Sequence, residues 1–285
     1  MYGCSWIPQA LLLLLAVLPL AAAQPWPHCD DSSGNYTAGS TYEANLLSLF
    51  ASGAFGAAPD TVYGLILCRG DVSFSDCFDC GTFASQDAGT ACGRRIRDVV
   101  LCYNQCYVRF SDSNFLASTD NSGDVSLRSG TDIASDDVAG YDRTVTGLLN
   151  ATLQYAVDNS TRMFATGEWV GSDPGFSHIY SLAQCTPDLS PALCRSCLQD
   201  LLDQWWSEFR FRGKEDGGRI TGSRCSLRSQ LGQVPFYTGA TMIQLPTKAA
   251  AAPGPAPAAV PATTGGQFRT NLFVEQQQNA SFLFQ

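Results

Sequence analysis

The sequence predicts two tandem copies of one small, disulfide-stapled domain that contains both helices and strands. A tyrosine precedes the leading cysteine of each copy by five residues, at Tyr63 and Tyr180. A three-cysteine spacing that recurs with its flanking residue indicates duplication. The spacing is C-x8-C-x2-C, and it occurs at Cys68, Cys77, Cys80 and again at Cys185, Cys194, Cys197.

Residues 1–23 have the pattern of a secretory signal peptide. The apolar run 10–20 is shorter than the roughly 20 residues that span a bilayer, and small residues follow it up to Ala23. No Lys or Arg precedes the run, so only the terminal amine supplies positive charge there. We therefore expect secretion into an oxidising compartment, where cysteines pair.

The charge of the chain argues against two classes of partner. The 285 residues carry a formal net charge of −9, whereas nucleic acids and anionic membranes both require a basic surface. No apolar run after the signal peptide is long enough to span a membrane. Secretion would make N-glycosylation available at four N-x-[ST] sequons. They are Asn35, Asn150, Asn159 and Asn279.

The first domain is predicted to cover residues 24–116. Ser40 and Glu43 form a capping box, which indicates a helix that begins there. A second helix is expected to begin near Ser75 and to carry the cysteine motif. The β-branched and aromatic segment Val99–Phe110 is typical of a strand. Residues 117–137, rich in Ser, Asp and Gly, are predicted to form a polar connector with one short strand.

The second domain is predicted to cover residues 138–243. Its first helix is indicated by apolar residues at helical spacing from Val145 to Ala156, and its second by Ser190 as N-cap with Pro191 following. The second helix places Trp205 on its apolar stripe. Residues 244–285 are predicted to be a Pro/Ala-rich spacer followed by a disordered tail.

These motifs resemble the ginkbilobin-homologous domain of land plants, also called the salt-stress-response/antifungal domain. The resemblance rests on the repeated cysteine spacing, its tyrosine flank and a later C-x2-R at Cys106–Arg109 and Cys225–Arg228. It covers roughly residues 24–243. Tandem copies are similar to cysteine-rich repeat secretory proteins and to ectodomains of cysteine-rich receptor-like kinases. The resemblance implies an α+β fold, with two helices on a five-stranded antiparallel sheet in each domain.

The resemblance also implies which cysteines pair. Eleven cysteines remain after removal of the signal peptide, and ten of them have family counterparts. The implied bridges are Cys29–Cys92, Cys68–Cys77, Cys80–Cys106, Cys185–Cys194 and Cys197–Cys225. Cys102 is left over. If residues 99–110 form one strand, Cys102 lies on the face of Cys106 and points inward. We therefore expect a buried free thiol, with an intermolecular disulfide or a redox sensor as the alternatives.

The resemblance implies a possible mannose site, because family members can bind mannose through three polar residues. The equivalent positions in this chain are located by their distance from the matching cysteines. In the first domain, these positions hold Asp30, Val100 and Ser111, so the site is expected to be lost. The second domain holds Arg219 and Gln230, which keep hydrogen-bonding groups without the carboxylate. A surface or strand-pairing role for Arg219 is the competing interpretation.

Catalysis and metal binding are not expected. The only two histidines, His28 and His178, provide no base within a recognisable hydrolase motif, and paired cysteines are unavailable to zinc. No cofactor motif is present. Trp206, beside Trp205, is a candidate for a partly exposed interface residue.

The sequence therefore predicts a non-catalytic, secreted binding module. By resemblance it belongs to the plant apoplast and to stress or defence responses. Its partner is expected to be a cell-surface or apoplastic protein, or a glycan. Two alternatives remain open: a mannose-binding antifungal lectin, and a truncated ectodomain of a cysteine-rich receptor-like kinase.

Overall fold

The computed structural model describes residues 24–48, 52–209 and 215–246. The predicted signal peptide, nearly all of the predicted spacer and tail, and Asn279 lie outside these residues. The described residues form two β-sheets, and each sheet is covered on one face by two helices. The predicted α+β fold class is confirmed.

The first sheet has five strands, all antiparallel, in the order β1-β4-β5-β3-β2. Their alternating side chains divide between the two faces. For example, Ile66 faces the helices, whereas Leu65 and Leu67 face the other side. The strands are β1 (Trp26–Cys29), β2 (Gly53–Phe55), β3 (Val62–Cys68), β4 (Val99–Cys102) and β5 (Cys106–Ser111).

Two helices cover one face of this sheet: α1 (Thr41–Leu47) and α2 (Phe74–Asp87). The side chain of Ser40 accepts a hydrogen bond from the amide of Glu43, as the capping box predicts. Helix α2 begins one residue before the predicted start, because Ser73 caps it through the amide of Asp76. Tyr42 and Leu46 of α1 are fully buried against the sheet.

The second sheet has six strands, in the order β11-β7-β8-β10-β9-β6. β11 pairs in parallel with β7, and the other pairs are antiparallel. The short strand predicted in the connector is β6, and it forms one edge of this sheet. The strands are β6 (Val125–Arg128), β7 (Phe164–Val170), β8 (His178–Cys185), β9 (Gly217–Thr221), β10 (Cys225–Leu231) and β11 (Ile243–Leu245).

Helices α3 (Val138–Asp158) and α4 (Pro191–Phe209) pack on the second sheet. The amide of Leu193 donates to the hydroxyl of Ser190, consistent with an N-cap at that residue. Trp205 is 2% exposed and lies in the core. The core of the second domain is larger than that of the first, because both of its helices are long.

Five disulfide bridges tie helices and strands together. They are Cys29–Cys92, Cys68–Cys77, Cys80–Cys106, Cys185–Cys194 and Cys197–Cys225. In both domains, one bridge joins the strand before the second helix to the start of that helix, and another joins the helix to the second strand after it. The first domain has a third bridge, which ties strand β1 to the segment after α2.

The segment predicted as one strand, Val99–Phe110, is two strands joined by a tight turn at 103–105. The expectation that Cys102 shares a face with Cys106 is therefore wrong. The hairpin turn resets the alternation, so Cys106 faces the helices and Cys102 faces the opposite side. Cys102 is a free cysteine, and its exposure is 0%.

Among the described residues, none of the helices combines the length and the apolar character needed to cross a membrane.

Candidate ligand site between the two domains

The faces of the two sheets that carry no helices meet each other. On the first sheet, this face contains Leu65, Leu67, Val100 and Cys102. Phe115, at the end of the first domain, is buried on this face, and Val125 and Leu127 of β6 in the connector pack against it. The first sheet is therefore covered on one face by its two helices and on the other by the segment from Phe115 to β6. Strand β6 is also part of the second sheet.

A buried glutamine joins the sheets at one side of this interface. Gln184 on β8 donates from Nε2 to the carbonyl of Cys68 and accepts from the amide of Gly70. These bonds are 2.8 and 2.9 Å long, and the glutamine is 7% exposed. The side-chain amide therefore satisfies two backbone groups of the first domain at once.

Arg224 anchors the connector to the second domain. Its guanidinium donates to the carbonyl of Ser118 at 2.9 Å and to the carbonyl of Leu116 at 2.8 Å. It also pairs with Asp188, and the residue is 4% exposed. The connector is thus held in place by a buried charged group, not by apolar contacts alone.

A cleft with a volume of about 390 Å³ lies between the domains. The first domain contributes Trp26 and Asn104, and the connector contributes residues 127–130. The second domain supplies the other wall, made of Gly217, Gly218, Arg219, Arg228, Ser229 and Gln230. Both candidate ligand residues of the second domain, Arg219 and Gln230, therefore line one cavity. Asp30 is not among its lining residues.

Arg219 on β9 is half-buried and spans the interface. It donates to the carbonyl of Tyr103 in the first domain at 2.7 Å and to the hydroxyl of Thr221 at 3.4 Å. Burial lowers the pKa of its guanidinium, whereas its proximity to Cys102 acts in the opposite direction. Arg219 lies opposite Arg228 in the register of β9 and β10, and both residues line the cleft.

Arg228 on β10 is a cleft residue that sequence reasoning did not select as a site. Its guanidinium lies 3.9 Å from the ring centroid of Phe236 and donates to Oε1 of Gln230 at 2.6 Å. Burial, followed by the charges of Arg219 and Arg69, lowers its pKa to about 9, while the charge of Asp71 acts in the opposite direction; the group stays charged at neutral pH. In the sequence, Arg228 could have been noticed through the C-x2-R motif that both domains share.

Arg128, at the end of β6, completes a group of three arginines in the cleft. It is exposed and donates to the carbonyl of Glu208 at 3.0 Å. The described residues that line the cleft include no Asp or Glu. The cleft therefore concentrates positive charge within a chain whose net charge is −9.

The equivalent positions of the first domain are organised differently. Arg109, the counterpart of Arg228, pairs with Asp98 at 2.9 Å and donates to Ser122 of the connector. Ser111, which is fully buried, also donates to Asp98. Val100 is buried on the interface side. This position is therefore filled by the protein's own carboxylate and by the connector.

Asp30 lies at the surface of the first domain. Its carboxylate accepts from the amide and the hydroxyl of Ser32, and these two bonds lower its pKa. The family's first sugar-binding position is thus engaged in a local turn.

Trp206 is partly buried and packs against the core of the second domain. Its indole N–H donates to the hydroxyl of Thr146 on α3 at 2.8 Å. The side chain therefore joins the two helices, and its polar group already has a partner.

The predicted sequons occupy different environments. Asn35 and Asn159 are exposed, the latter immediately after α3. Asn150 lies within α3 and is half-buried, and its sequon threonine, Thr152, is fully buried against Ser181.

The histidines lie apart from the cleft lining. His178 contacts Glu168 through Nδ1 at 3.2 Å, and His28 is exposed on β1. In the described ranges, no three His, Cys, Asp or Glu side chains gather as metal ligands.

A second, more open groove of about 700 Å³ lies beside the start of α3. Its two carboxylates already have partners. Asp137 accepts from the amide of Gly140 as the helix N-cap, and Asp173 accepts from Ser135 and Gly175. The interdomain cleft is the stronger candidate site. Its arginines Arg219 and Arg228 donate only to neutral oxygens among the described residues, so they can still bind a charged ligand group.

Comparison with known proteins identifies the class. The salt stress response/antifungal family profile matches residues 28–113 and 129–231. Cysteine-rich repeat secretory protein 38 of Arabidopsis thaliana is 32% identical over 215 residues, which cover 71% of this chain and 82% of that protein. The rice cysteine-rich receptor-like protein kinase 10 is 38% identical over 264 residues. That match covers 86% of this chain, but the chain spans only 40% of the kinase.

The fold also matches a solved structure. The tandem DUF26 ectodomain of the Arabidopsis thaliana cysteine-rich receptor-like protein PDLP8 superposes with a TM-score of 0.53 at 21% identity, covering 74% of this chain and 98% of that one. Fold, disulfides and matches together define a tandem of disulfide-stapled α+β domains. The chain belongs to the salt stress response/antifungal family.

Proposed function

We propose that this chain is a non-catalytic extracellular recognition module that binds its ligand in the cleft between its two domains. The observation that carries the proposal is the composition of the cleft. Trp26, Asn104 and Arg219 come from different domains and converge on one cavity of about 390 Å³. Cavities at domain interfaces with a few convergent polar groups are preferred ligand sites.

The proposal assigns the chain to the plant apoplast, in stress or defence responses. It is supported by the apolar N-terminal segment, by five disulfides and by a family whose members include a secretory protein. Removal of residues 1–23 and glycosylation at Asn35 and Asn159 are part of the same proposal. Intact mass before and after deglycosylation tests both.

We further propose that the folded units are 24–116 and 138–243, with the connector 117–137 between them. Within the connector, β6 pairs with β9 and so adds an edge strand to the second sheet. In this arrangement, the ligand would be enclosed by both domains and by the connector. Limited proteolysis with and without ligand tests this arrangement, since binding is expected to protect the connector.

The partner is proposed to be a cell-surface or apoplastic protein, with a neutral mannose-type glycan as the alternative. Arg219 keeps the donor of the family's sugar site, which is the observation that favours the glycan. Two observations favour a protein partner over a glycan. Gln230 lacks the carboxylate of the family's sugar site, and Asp30 lies in the other domain and does not line the cleft.

One experiment separates these candidates. The secreted full chain and its Arg219→Ala variant are screened on a glycan array and against receptor ectodomains, with Arg195→Ala as the matched control. Arg195 is an exposed arginine that pairs with Asp158 on the helical side. Mannose binding that Arg219→Ala abolishes supports the lectin. Capture of an ectodomain that is reduced only by Arg219→Ala supports the protein partner. Binding unchanged by Arg219→Ala contradicts the cleft.

A role as the ectodomain part of a receptor-like kinase is the second candidate. It is favoured by the rice kinase, whose match covers 86% of this chain. Transcript sequence that continues into a hydrophobic span and kinase motifs would support it. A transcript that stops after residue 285 would oppose it.

A further inference from the structure

We propose that the cleft takes a small carboxylate-bearing sugar, a hexuronic acid, with its carboxylate held by Arg228 and Arg219. This inference rests on the proposed function, because it assigns a ligand class to the same cleft. It differs from a neutral-sugar site in requiring a negative charge on the ligand.

The internal duplication of the chain provides the first argument. Asp98 lies eight residues before Cys106, and the position eight residues before Cys225 is Gly217. In the first domain, Asp98 neutralises Arg109, with Nη2 and Oδ2 2.9 Å apart. In the second domain, the counterpart arginine, Arg228, has a glycine where that carboxylate would be. The second domain therefore lacks the internal carboxylate that neutralises the counterpart arginine of the first domain.

The hydrogen bonds of the arginines provide the second argument. Arg219 donates to a carbonyl and a hydroxyl, and Arg228 donates to an amide oxygen, so all three acceptors are neutral. Arg128 likewise donates to a backbone carbonyl. Guanidinium groups form shorter and stronger hydrogen bonds with carboxylates, often in a two-pronged arrangement. A ligand carboxylate would thus gain charged partners that the lining residues do not provide.

The remaining walls of the cleft match a sugar ring. Trp26 offers an aromatic surface, and Asn104 and Ser129 offer groups that can bond hydroxyls. Gly217, on the same face of β9 as Arg219, leaves that part of the wall without a side chain. The volume of about 390 Å³ lies at the lower end of the range for small-molecule sites, about 300–1,000 Å³. A monosaccharide or disaccharide is therefore the appropriate size.

Gln230 provides an isosteric test. Its Oε1 accepts from Arg228 at 2.6 Å, so Gln230→Glu places a carboxylate on the same guanidinium with little change in shape. The variant supplies internally the charge that we assign to the ligand. It also restores the residue type of the family's neutral-sugar site. A hexuronic acid and a neutral sugar should therefore respond in opposite directions.

The experiment measures binding of D-galacturonate and D-galactose to the secreted full chain by titration calorimetry or ligand-observed NMR at pH 7. The two sugars differ only at C6, where one carries the carboxylate. The variants are Gln230→Glu and Arg228→Gln, with Arg195→Gln as the matched control. Thermal unfolding verifies that each variant is folded.

We expect galacturonate to bind at least ten times more tightly than galactose. Gln230→Glu and Arg228→Gln should each weaken galacturonate at least tenfold, and Arg195→Gln should leave its affinity unchanged. Equal affinities for the two sugars, no galacturonate binding, or binding insensitive to Gln230→Glu would overturn the proposal. Equally tight binding of N-acetyl-Gly-Gly, a peptide carboxylate, would overturn the sugar assignment.

The two proposals can fail separately. Neutral glycan binding that depends on Arg219 would support the cleft as the ligand site and overturn the hexuronic acid. Galacturonate binding combined with partner capture that no cleft variant changes would support the anion site and contradict the proposed recognition role of the cleft.

Discussion

The carboxylate of Asp71, in the first domain, accepts a hydrogen bond from the backbone amide of Thr238, in the second, at 2.6 Å. The hydroxyl of Thr238 also donates to the carbonyl of Asp71, again at 2.6 Å. Arg69 pairs with the same carboxylate, whose side chain is 5% exposed. These two bonds from Thr238 to Asp71 fix the loop before α2 to the segment that precedes β11.

We predict that Asp71→Asn destabilises the chain by about 1–3 kcal/mol at pH 7. The amide keeps the shape but loses the charge that both Arg69 and Thr238 bond, and hydrogen bonds to charged groups contribute about that much. Urea unfolding followed by tryptophan fluorescence measures the change. Asp31→Asn is the control, since Asp31 is an exposed partner of Arg94 and should change stability by less than about 0.5 kcal/mol.

The same residue predicts a pH dependence. Burial raises the pKa of Asp71, but hydrogen bonds from Arg69 and Thr238 and the charge of Arg69 outweigh burial, and the net pKa is lowered. The folded state therefore favours the ionised form, and its contribution is present above the unfolded pKa of about 3.9. The stability difference between wild type and Asp71→Asn should be complete at about pH 5 and shrink as the pH falls below 4. A difference that grows on acidification would refute the assignment.

Arg224→Ala is predicted to be among the most damaging single changes in the interface. It leaves the carbonyls of Leu116 and Ser118 without their donor in a buried position, which costs about 1–3 kcal/mol for each unsatisfied group. We expect a total loss of about 3 kcal/mol and faster proteolysis of the connector. Arg195→Ala, with an exposed ion pair, should be nearly neutral. Equal effects of the two variants would contradict the anchoring role.

Gln184→Ala should cost about 1–3 kcal/mol, because it removes both partners of the backbone groups of Cys68 and Gly70. Gln184→Glu should recover little of this loss, since a carboxylate cannot donate to the carbonyl of Cys68. Gln199→Ala is the matched control, for its amide bonds only Asp203 at the surface. Denaturant midpoints compare the three variants with wild type.

Cys102 is predicted to be unreactive in the folded protein. Its exposure is 0%, and burial raises the pKa of its thiol to about 11, although the charge of Arg219 acts in the opposite direction. Ellman's reagent should titrate no thiol in the native chain and one thiol per chain after denaturation without reductant. Zero thiols after denaturation, with a dimer on a non-reducing gel, would mean that Cys102 bridges two chains.

The sequence predicted the fold class correctly because its strongest signals are local. Ser40 with Glu43, and Ser190 with Pro191, mark helix starts through contacts within one turn. The hairpin between β4 and β5 was missed because the turn 103–105 contains no glycine or proline. Asn104 was the one turn-favouring residue in that segment, and it was read as part of a strand.

The candidate site was only partly predictable. Arg219 and Gln230 were found by counting from a cysteine, which requires no knowledge of the interface. Arg228 was seen as part of a motif, but its role depends on its neighbours in space. Trp26 and Asn104 belong to the other domain, and nothing local indicates that they reach the same cavity. Contacts between residues that are far apart in the sequence, such as Arg219 and Tyr103, depend on how the two sheets pack against each other.

Strand β6 makes the two domains depend on one shared segment of the chain. The segment from Phe115 to Arg128 covers the first sheet and also forms the edge of the second. A gene fragment that begins at Val138 would encode a second domain whose β9 edge is open, and open edges invite aggregation. Recombination between relatives is therefore expected to preserve this segment together with both domains, so that the tandem is inherited as a single module.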